Sequence, residues 1–162
     1  LMQDLKNNRI DVALLYDLDL STDINCVPLS EYSPYVALPN NHELAQKKEI
    51  SLSELVDLPL ILLDVAPSRS FFLGLFEAED LKPTIAHTSP SLELVRGMVG
   101  CGLGYSLLVT RPHGDKTYDG SQICIRRLKG SHSKSRIVLG SLASLKKTRS
   151  IICLEQTAQK HF

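Results

Sequence analysis

Gly97-Met-Val-Gly100-Cys-Gly102-Leu-Gly104 is the stretch on which the fold reading turns. Its glycines invite a dinucleotide-loop reading. Such a loop, however, follows a strand and opens a helix, so that a pyrophosphate meets the helix N-terminus. Here the order is reversed. Upstream, Leu92, Val95 and Val99 fall at i, i+3 and i+7, the stripe of a half-buried helix. Pro90 suits the first turn of that helix and Ser89 its cap. Downstream, Tyr105 to Val109 has the length and composition of a strand. The glycines therefore mark a helix C-cap and a tight helix-to-strand turn, where positive φ and close backbone approach are needed.

The alternation continues in both directions. On the N-terminal side, Leu1 to Lys6 reads as the last turns of a helix, broken at Asn7-Asn8. Ile10 to Tyr16 is a near-continuous apolar run, as expected of a buried parallel strand. Cys26 to Leu29 and Tyr35 to Leu38 are further strands, the second closed by Pro39-Asn40-Asn41. Ser51-Leu-Ser-Glu54 is a capping box, Leu60 to Leu63 a buried strand, and Arg69 to Glu79 a helix with Phe72, Leu75 and Phe76 inward. Thr84 to His87 is a short strand. Beyond the glycines, Ile123 to Leu128 and Arg136 to Leu142 are strands, and Ser144 to Lys160 is an amphipathic helix carrying Leu145, Ile152 and Ala158. Strand–helix alternation predicts an α/β fold with parallel sheets.

Composition narrows the function classes. Hydrophobic residues make up 43% and charged residues 22% of 162, an ordinary globular balance. Lys plus Arg equals Asp plus Glu at 18 each, and the pairs Arg126-Arg127 and Lys146-Lys147 are short. The sequence thus lacks the basic face of a free-standing nucleic-acid binder. Cys26, Cys101, Cys124 and Cys153 are widely spaced without a C-x-x-C, and read as reduced core thiols. No apolar run reaches the roughly 18 residues of a membrane span, and Leu1-Met2-Gln3-Asp4 does not begin an export signal. A cytoplasmic protein is expected, in which position 1 is not an initiator Met.

No enzyme or metal signature emerges. His42, His87, His113, His132 and His161 have neither i, i+4 pairing nor clustering, so no metal site is expected. His42, after Asn40-Asn41, fits a surface or capping role. Gly104-Tyr-Ser106-Leu lacks the second glycine of a nucleophile elbow. No catalytic residue and no cofactor are assigned. Two loops are more informative. Asp64 to Arg69 and His87 to Leu92 each place small hydroxyl residues after a strand and at a helix start: Ser68 and Ser70, then Thr88, Ser89 and Ser91. In open α/β sheets ligands bind beyond the carboxyl ends of strands, where amides and helix dipoles favour anions. The same hydroxyls could merely cap their helices. A small carboxylate or similar anion is a reasonable ligand class.

Four segments in order resemble the effector-binding domain of LysR-type transcription regulators, across nearly the whole chain. They are Leu5-Lys-Asn-Asn-Arg-Ile-Asp-Val-Ala-Leu-Leu15; Val36-Ala-Leu-Pro-Asn-Asn-His-Glu-Leu-Ala45; Ile50-Ser-Leu-Ser-Glu-Leu55 with Leu58-Pro-Leu-Ile61; and Val99-Gly-Cys-Gly-Leu-Gly104. Asn8 departs from a usual glycine and Glu43 from a usual proline. The resemblance implies a two-lobed fold like type 2 periplasmic binding proteins, with 1–39 in lobe I, 40–134 as lobe II, and 135–162 returning to lobe I. The crossovers are expected near Leu38 to Asn40 and Ser135 to Gly140. Lobe I is expected to be incomplete at its N-terminal side, where the family has a further strand, helix and strand.

The implied function is sensing. A small-molecule effector, a small carboxylate or aromatic acid, would lie between the lobes. Contact positions carried over by the resemblance fall on Tyr16, Ala66, Pro67, Ser68 and Arg69, with Thr88 a weaker candidate. Arg69 could grip a carboxylate bidentately or be an exposed helix-start residue. A homodimer or higher oligomer is implied, with DNA contacted only by a winged helix-turn-helix outside this sequence. Two other readings stand beside this one: a transport-type solute-binding protein of the same fold, and a small α/β enzyme.

Overall fold

The computed structural model describes residues 1–18 and 20–162. Helix α1 (Met2–Lys6) precedes strands β1 (Val12–Tyr16), β2 (Ile24–Tyr32) and β3 (Tyr35–Pro39). Next come β4 (Glu49–Ile50), β5 (Pro59–Leu63), α2 (Ser68–Glu77), β6 (Thr84–Ser89) and α3 (Leu92–Gly100). Strands β7 (Ser106–Leu108), β8 (Ile123–Leu128) and β9 (Ser135–Leu142) lead to α4 (Arg149–His161). Two compact units result: Leu1–Tyr32 with Lys134–Phe162, and Ser33–Ser133. The first division falls ahead of the expected crossover near Leu38 to Asn40. The reason is β3, which is hydrogen-bonded to β7 and β8 of the second unit.

The first unit is a three-stranded sheet in the order β1-β9-β2, antiparallel throughout. This corrects the expected buried parallel strand at Ile10 to Tyr16: β1 pairs antiparallel with β9, Ala13 is buried and Leu14 half-exposed. An apolar run says nothing about the direction of its partner, and β9 lies far along the chain. Leu5 of α1 packs with Ala13 and Ile24. At the break after α1, Asn8 has φ +52°, the left-handed region that asparagine tolerates next best to glycine. This is how an asparagine stands where the motif usually has glycine.

Helix α4 starts at Arg149, later than the expected Ser144, because Thr148 caps it by accepting from the Ile151 amide at 3.3 Å. Its buried apolar residue is Ile151, whereas Ile152 is exposed. The thiol reading also needs correction: Cys124 is buried, but Cys26, Cys101 and Cys153 are exposed free thiols. Cys153 stands on the outer side of α4 and Cys101 at the exposed C-cap of α3.

In the second unit the order β4-β8-β3-β7 places β3, buried along its whole length, between two antiparallel neighbours. Among the described residues, parallel pairing is confined to β4 with β8, β5 with β6, and a bridge between Leu60 and Tyr105. The expectation of parallel sheets therefore holds for this part alone. At the bridge, the Ile61 amide donates to the Tyr105 carbonyl (2.7 Å) and the Tyr105 amide to the Pro59 carbonyl (3.0 Å). Gly104 makes that approach possible, since a Cβ there would sit 2.1 Å from the Pro59 carbonyl oxygen. Gly102, at φ +80°, turns the chain out of α3.

Side chains alternate across β5. Leu60 and Leu62 pack with Phe72, Leu75 and Phe76 of α2, while Ile61 packs with Val95 and Val99 of α3. The two helices thus cover opposite faces of one strand. The cap of α3 is Ser91 rather than the expected Ser89: its Oγ accepts from the Leu94 amide, while the Ser89 hydroxyl accepts from the Ser91 amide at 3.1 Å. His42 caps the turn Glu43–Gln46 through Nδ1, which accepts from the Leu44 amide at 3.2 Å.

The turn Leu52–Glu54 is held by the Glu54 carboxylate, which accepts from the Ser51 amide (2.9 Å) and hydroxyl (2.7 Å) and pairs with Lys47. The Lys47 ammonium foremost, then the Ser51 donors, hold the Glu54 carboxyl at about 2, below its ordinary 4.5. A carboxyl depressed in the folded state stabilises above its unfolded pKa and loses that contribution as pH falls through the folded value. Stability of the chain should therefore decline between pH 4.5 and about 2, and Glu54→Gln should flatten that decline in urea unfolding midpoints. Gly104→Ala should cost more than about 2 kcal/mol by the same assay, since backbone must move to admit the methyl group. Gly74→Ala, in α2 with open space around it, should gain about 0.5–1 kcal/mol.

Candidate functional site

Because β5 and β6 are adjacent and parallel, with Leu62 opposite Thr88 and Leu63 opposite Ser89, their carboxyl ends lie at one edge of the sheet. Both continue into helices there, β5 into α2 and β6 into α3. The Asp64 amide donates to the Ser89 carbonyl at 2.8 Å and ties the two loops together. Ala66, Pro67, Ser68, Arg69 and Thr88 therefore share this strand end. Tyr16 lies in the first unit, as the last residue of β1 opposite Ile137.

The two helix starts differ. Helix α3 is capped by Ser91 and carries Glu93 in its first turn. Helix α2 follows Pro67, has no side-chain cap and has no acidic residue in its first turn. Among the described residues, the Ser68 and Ser70 amides donate to no backbone carbonyl, and the Ser68 and Thr88 hydroxyls have no protein partner. Thr88 is exposed and Ser68 partly so. The Ala66–Pro67 peptide bond is cis. Arg69 pairs with Asp64 at 3.0 Å, both side chains well exposed, so its guanidinium is steered toward the loop by a weak surface ion pair.

Uncapped amides at a helix N-terminus carry a partial positive charge, and with a neighbouring hydroxyl they suit a carboxylate oxygen pair. Among the described residues no group of three or more His, Cys, Asp or Glu could hold a metal ion, and no helix is long and apolar enough to cross a membrane.

Sequence reasoning missed Arg96. Its side chain is 1% exposed and donates to the carbonyls of Gly114 (3.3 Å) and Lys116 (2.9 Å), with Glu93 3.2 Å away. A signal was present. Arg96 stands four residues after Leu92 and three before Val99, on the same helical stripe as the apolar residues. A charged residue on a buried stripe marks a polar anchor.

The fold is the type 2 periplasmic-binding-protein-like fold of LysR effector-binding domains, an α/β ligand-binding architecture. The family model described as "LysR substrate binding domain" matches residues 1–149, and the chain belongs to that family. It is similar to HinK, a LysR family transcriptional regulator from Pseudomonas aeruginosa. The two share 41% identity at a TM-score of 0.93, over 99% of this chain and 56% of HinK. The transcriptional regulator TtuA of Agrobacterium vitis is 30% identical over 112 residues, 67% of this chain and 37% of TtuA. The chain thus spans little more than a third of that curated relative. The effector binding domain of QuiR in complex with shikimate shares the fold, at a TM-score of 0.84 and 21% identity over 99% of this chain and 75% of that one.

The contrast between the helix starts has a measurable consequence. Ser91→Ala should lower stability by about 0.5–1 kcal/mol through loss of a cap. Ser68→Ala, which removes a hydroxyl without a protein partner, should stay within about 0.5 kcal/mol of the parent in urea unfolding.

Proposed function

We propose that this chain is the ligand-sensing part of a LysR-type transcription regulator, and that its effector is a small carboxylate or aromatic acid gripped by the start of α2. One observation carries the reading: at the carboxyl ends of two parallel strands, an uncapped helix presents amides and the Ser68 hydroxyl with no protein partner. Helix α3, which starts at the same strand end, is by contrast capped by Ser91. The complex of QuiR with shikimate, a carboxylic acid, supports the ligand class.

In this reading Ser68 and the neighbouring amides take one carboxylate, and Ala66 and Pro67 shape the turn. Thr88 offers a second hydroxyl, and Arg69 can exchange Asp64 for the ligand. Tyr16 is assigned as the contact from the first unit, and the units Leu1–Tyr32 with Lys134–Phe162 and Ser33–Ser133 are assigned as lobes I and II. Effector binding favours one arrangement of the lobes and so alters how a winged helix-turn-helix elsewhere in the protein sits on DNA. The regulator works in the cytoplasm as a homodimer or higher oligomer, and the chain senses rather than catalyses.

Differential scanning fluorimetry with shikimate, benzoate and salicylate tests the site. A ligand at about 100 times its Kd contributes about 2.7 kcal/mol, a rise of several degrees in Tm for a chain of this size. That rise should shrink in Ser68→Ala and in Tyr16→Phe and persist in Glu79→Ala, which alters an exposed position on the far end of the helical segment. Equal responses in all three variants would discard the assignment.

A further inference from the structure

The pairs Lys47-Lys48 and Arg126-Arg127, short in sequence, meet in the second unit. With Arg111 and Lys129 they line one open groove of about 830 Å³, floored by Tyr35 and Ile125. The groove is local and is not the extended basic face of a nucleic-acid binder; the net charge of zero is an average over a surface that is locally polarised. The pairing of β4 with β8 does this, setting Glu49 beside Arg127 and Ile50 beside Leu128.

Charge bookkeeping identifies what the groove lacks. Lys47 is answered by Glu54 and Arg111 by Asp115, at 3.2 Å in the second case. Glu49 is the carboxylate within the lining. Those three acids set against six cations leave a net excess of three positive charges, and four of the cations, Lys48, Arg126, Arg127 and Lys129, have no ion pair among the described residues. Lys48, Arg127 and Lys129 are exposed and free of ion pairs among the described residues.

The groove is also rigidly built. Arg126 donates through Nε to the Ala45 carbonyl (2.9 Å) and through Nη1 to the Ile125 carbonyl (2.7 Å), so its charge is fixed by backbone and left unneutralised. The Tyr35 hydroxyl donates to the Thr110 carbonyl at 2.8 Å. Behind it, buried Arg96 holds the carbonyls of Gly114 and Lys116 and so anchors the segment bearing Arg111 and Asp115.

We propose that this groove is a second ligand site, taking a small, multiply charged organic anion such as a polyphosphate ester or polycarboxylate. It lies wholly within Ser33–Ser133 and uses none of the residues at the start of α2, so it stands or falls independently of the effector reading. Its volume falls in the usual range for small-molecule sites, roughly 300–1,000 Å³. A fixed guanidinium beside exposed lysines suits oxyanions, since arginine supplies directed donors and lysine an adaptable charge. Three uncompensated charges in one concavity favour a compact anion over an extended nucleic-acid backbone, which needs a longer basic track.

The test is calorimetry and amide chemical-shift mapping on the whole chain at low salt, with pyrophosphate in one series and citrate in another. Saturable binding of either probe is expected, with shifts clustered at Lys48, Arg127 and Lys129. Pyrophosphate alone would assign phosphate chemistry, and citrate alone carboxylate chemistry. Lys48→Gln and Arg127→Gln should each weaken binding about tenfold, the loss of one charge-assisted hydrogen bond, with Arg127→Lys recovering part of it. Glu79→Ala, at an exposed position outside the groove, should bind as the parent does, and unchanged melting curves will show that the variants fold. Three results would overturn the proposal: no saturable binding of either probe, shifts confined to the Ser68 loop, or affinity in Lys48→Gln and Arg127→Gln undiminished from the parent's. So would a duplex DNA oligonucleotide that perturbs these amides saturably when neither small anion does.

Discussion

A single close contact between backbones organises the second unit. Where Gly104 passes Pro59 there is room for a hydrogen atom but not for a methyl group, and the bridge from Leu60 to Tyr105 forms through that gap. Without it the parallel pair β5–β6 would be separate from the sheet β4-β8-β3-β7. With it, Leu60 and Leu62 can seal against α2 while Ile61 seals against α3, and both helices begin at the same sheet edge. Burial on each face then fixes the register of β5, because a slip by one residue would exchange its two faces. The candidate site inherits its geometry from this constraint, since its loops are continuations of strands that cannot shift.

Much of this was legible from residue order. Glycines that follow an apolar helical stripe and precede an apolar run can only close a helix and start a strand, and Gly102 and Gly104 do so. Ser51 and Glu54 announce their own turn, and His42 its cap, because capping is local chemistry between near neighbours. What failed was what depends on distant partners. The run before Tyr16 could not reveal that β9 would pair with it antiparallel. Thiols in apolar contexts were assigned to the core, yet Cys153 lies on the outside of α4, two residues from buried Ile151. Two residues turn a helix by about 200°, which exchanges the inner face for the outer. The capping serine of α3 was displaced by two residues for a related reason: Ser89, Ser91 and Pro90 offer competing local arrangements that tertiary contact decides.

The site divides along the same line. That hydroxyl-bearing loops would follow two strands could be read from Asp64 to Arg69 and His87 to Leu92. Which hydroxyls serve the protein and which remain free could not, because the answer depends on hydrogen bonds. Ser89 and Ser91 are consumed by the start of α3. Ser68 and Thr88 are not consumed by any protein group among the described residues. A helix N-terminus open to solvent keeps its amides bonded to water until a ligand replaces that water. The same solvation lets a ligand arrive without prior unfolding.

Charge follows a similar logic at larger scale. Lysines and arginines in pairs far apart in sequence sum to nothing remarkable when counted with their acids, and equal totals suggest a featureless surface. The sheet rearranges that account. Its antiparallel pairing of β3 with β8 brings Tyr35 opposite Arg127, and its parallel pairing of β4 brings the segment after Lys47-Lys48 to the same strand. Their acids answer only some of them, and the carbonyls of Ala45 and Ile125 hold Arg126 without cancelling its charge. A carbonyl satisfies donors but leaves the monopole in place, so the field of the groove survives its own hydrogen bonding. Neutral composition and a polarised groove are therefore compatible, and the second is set by strand pairing rather than by residue count.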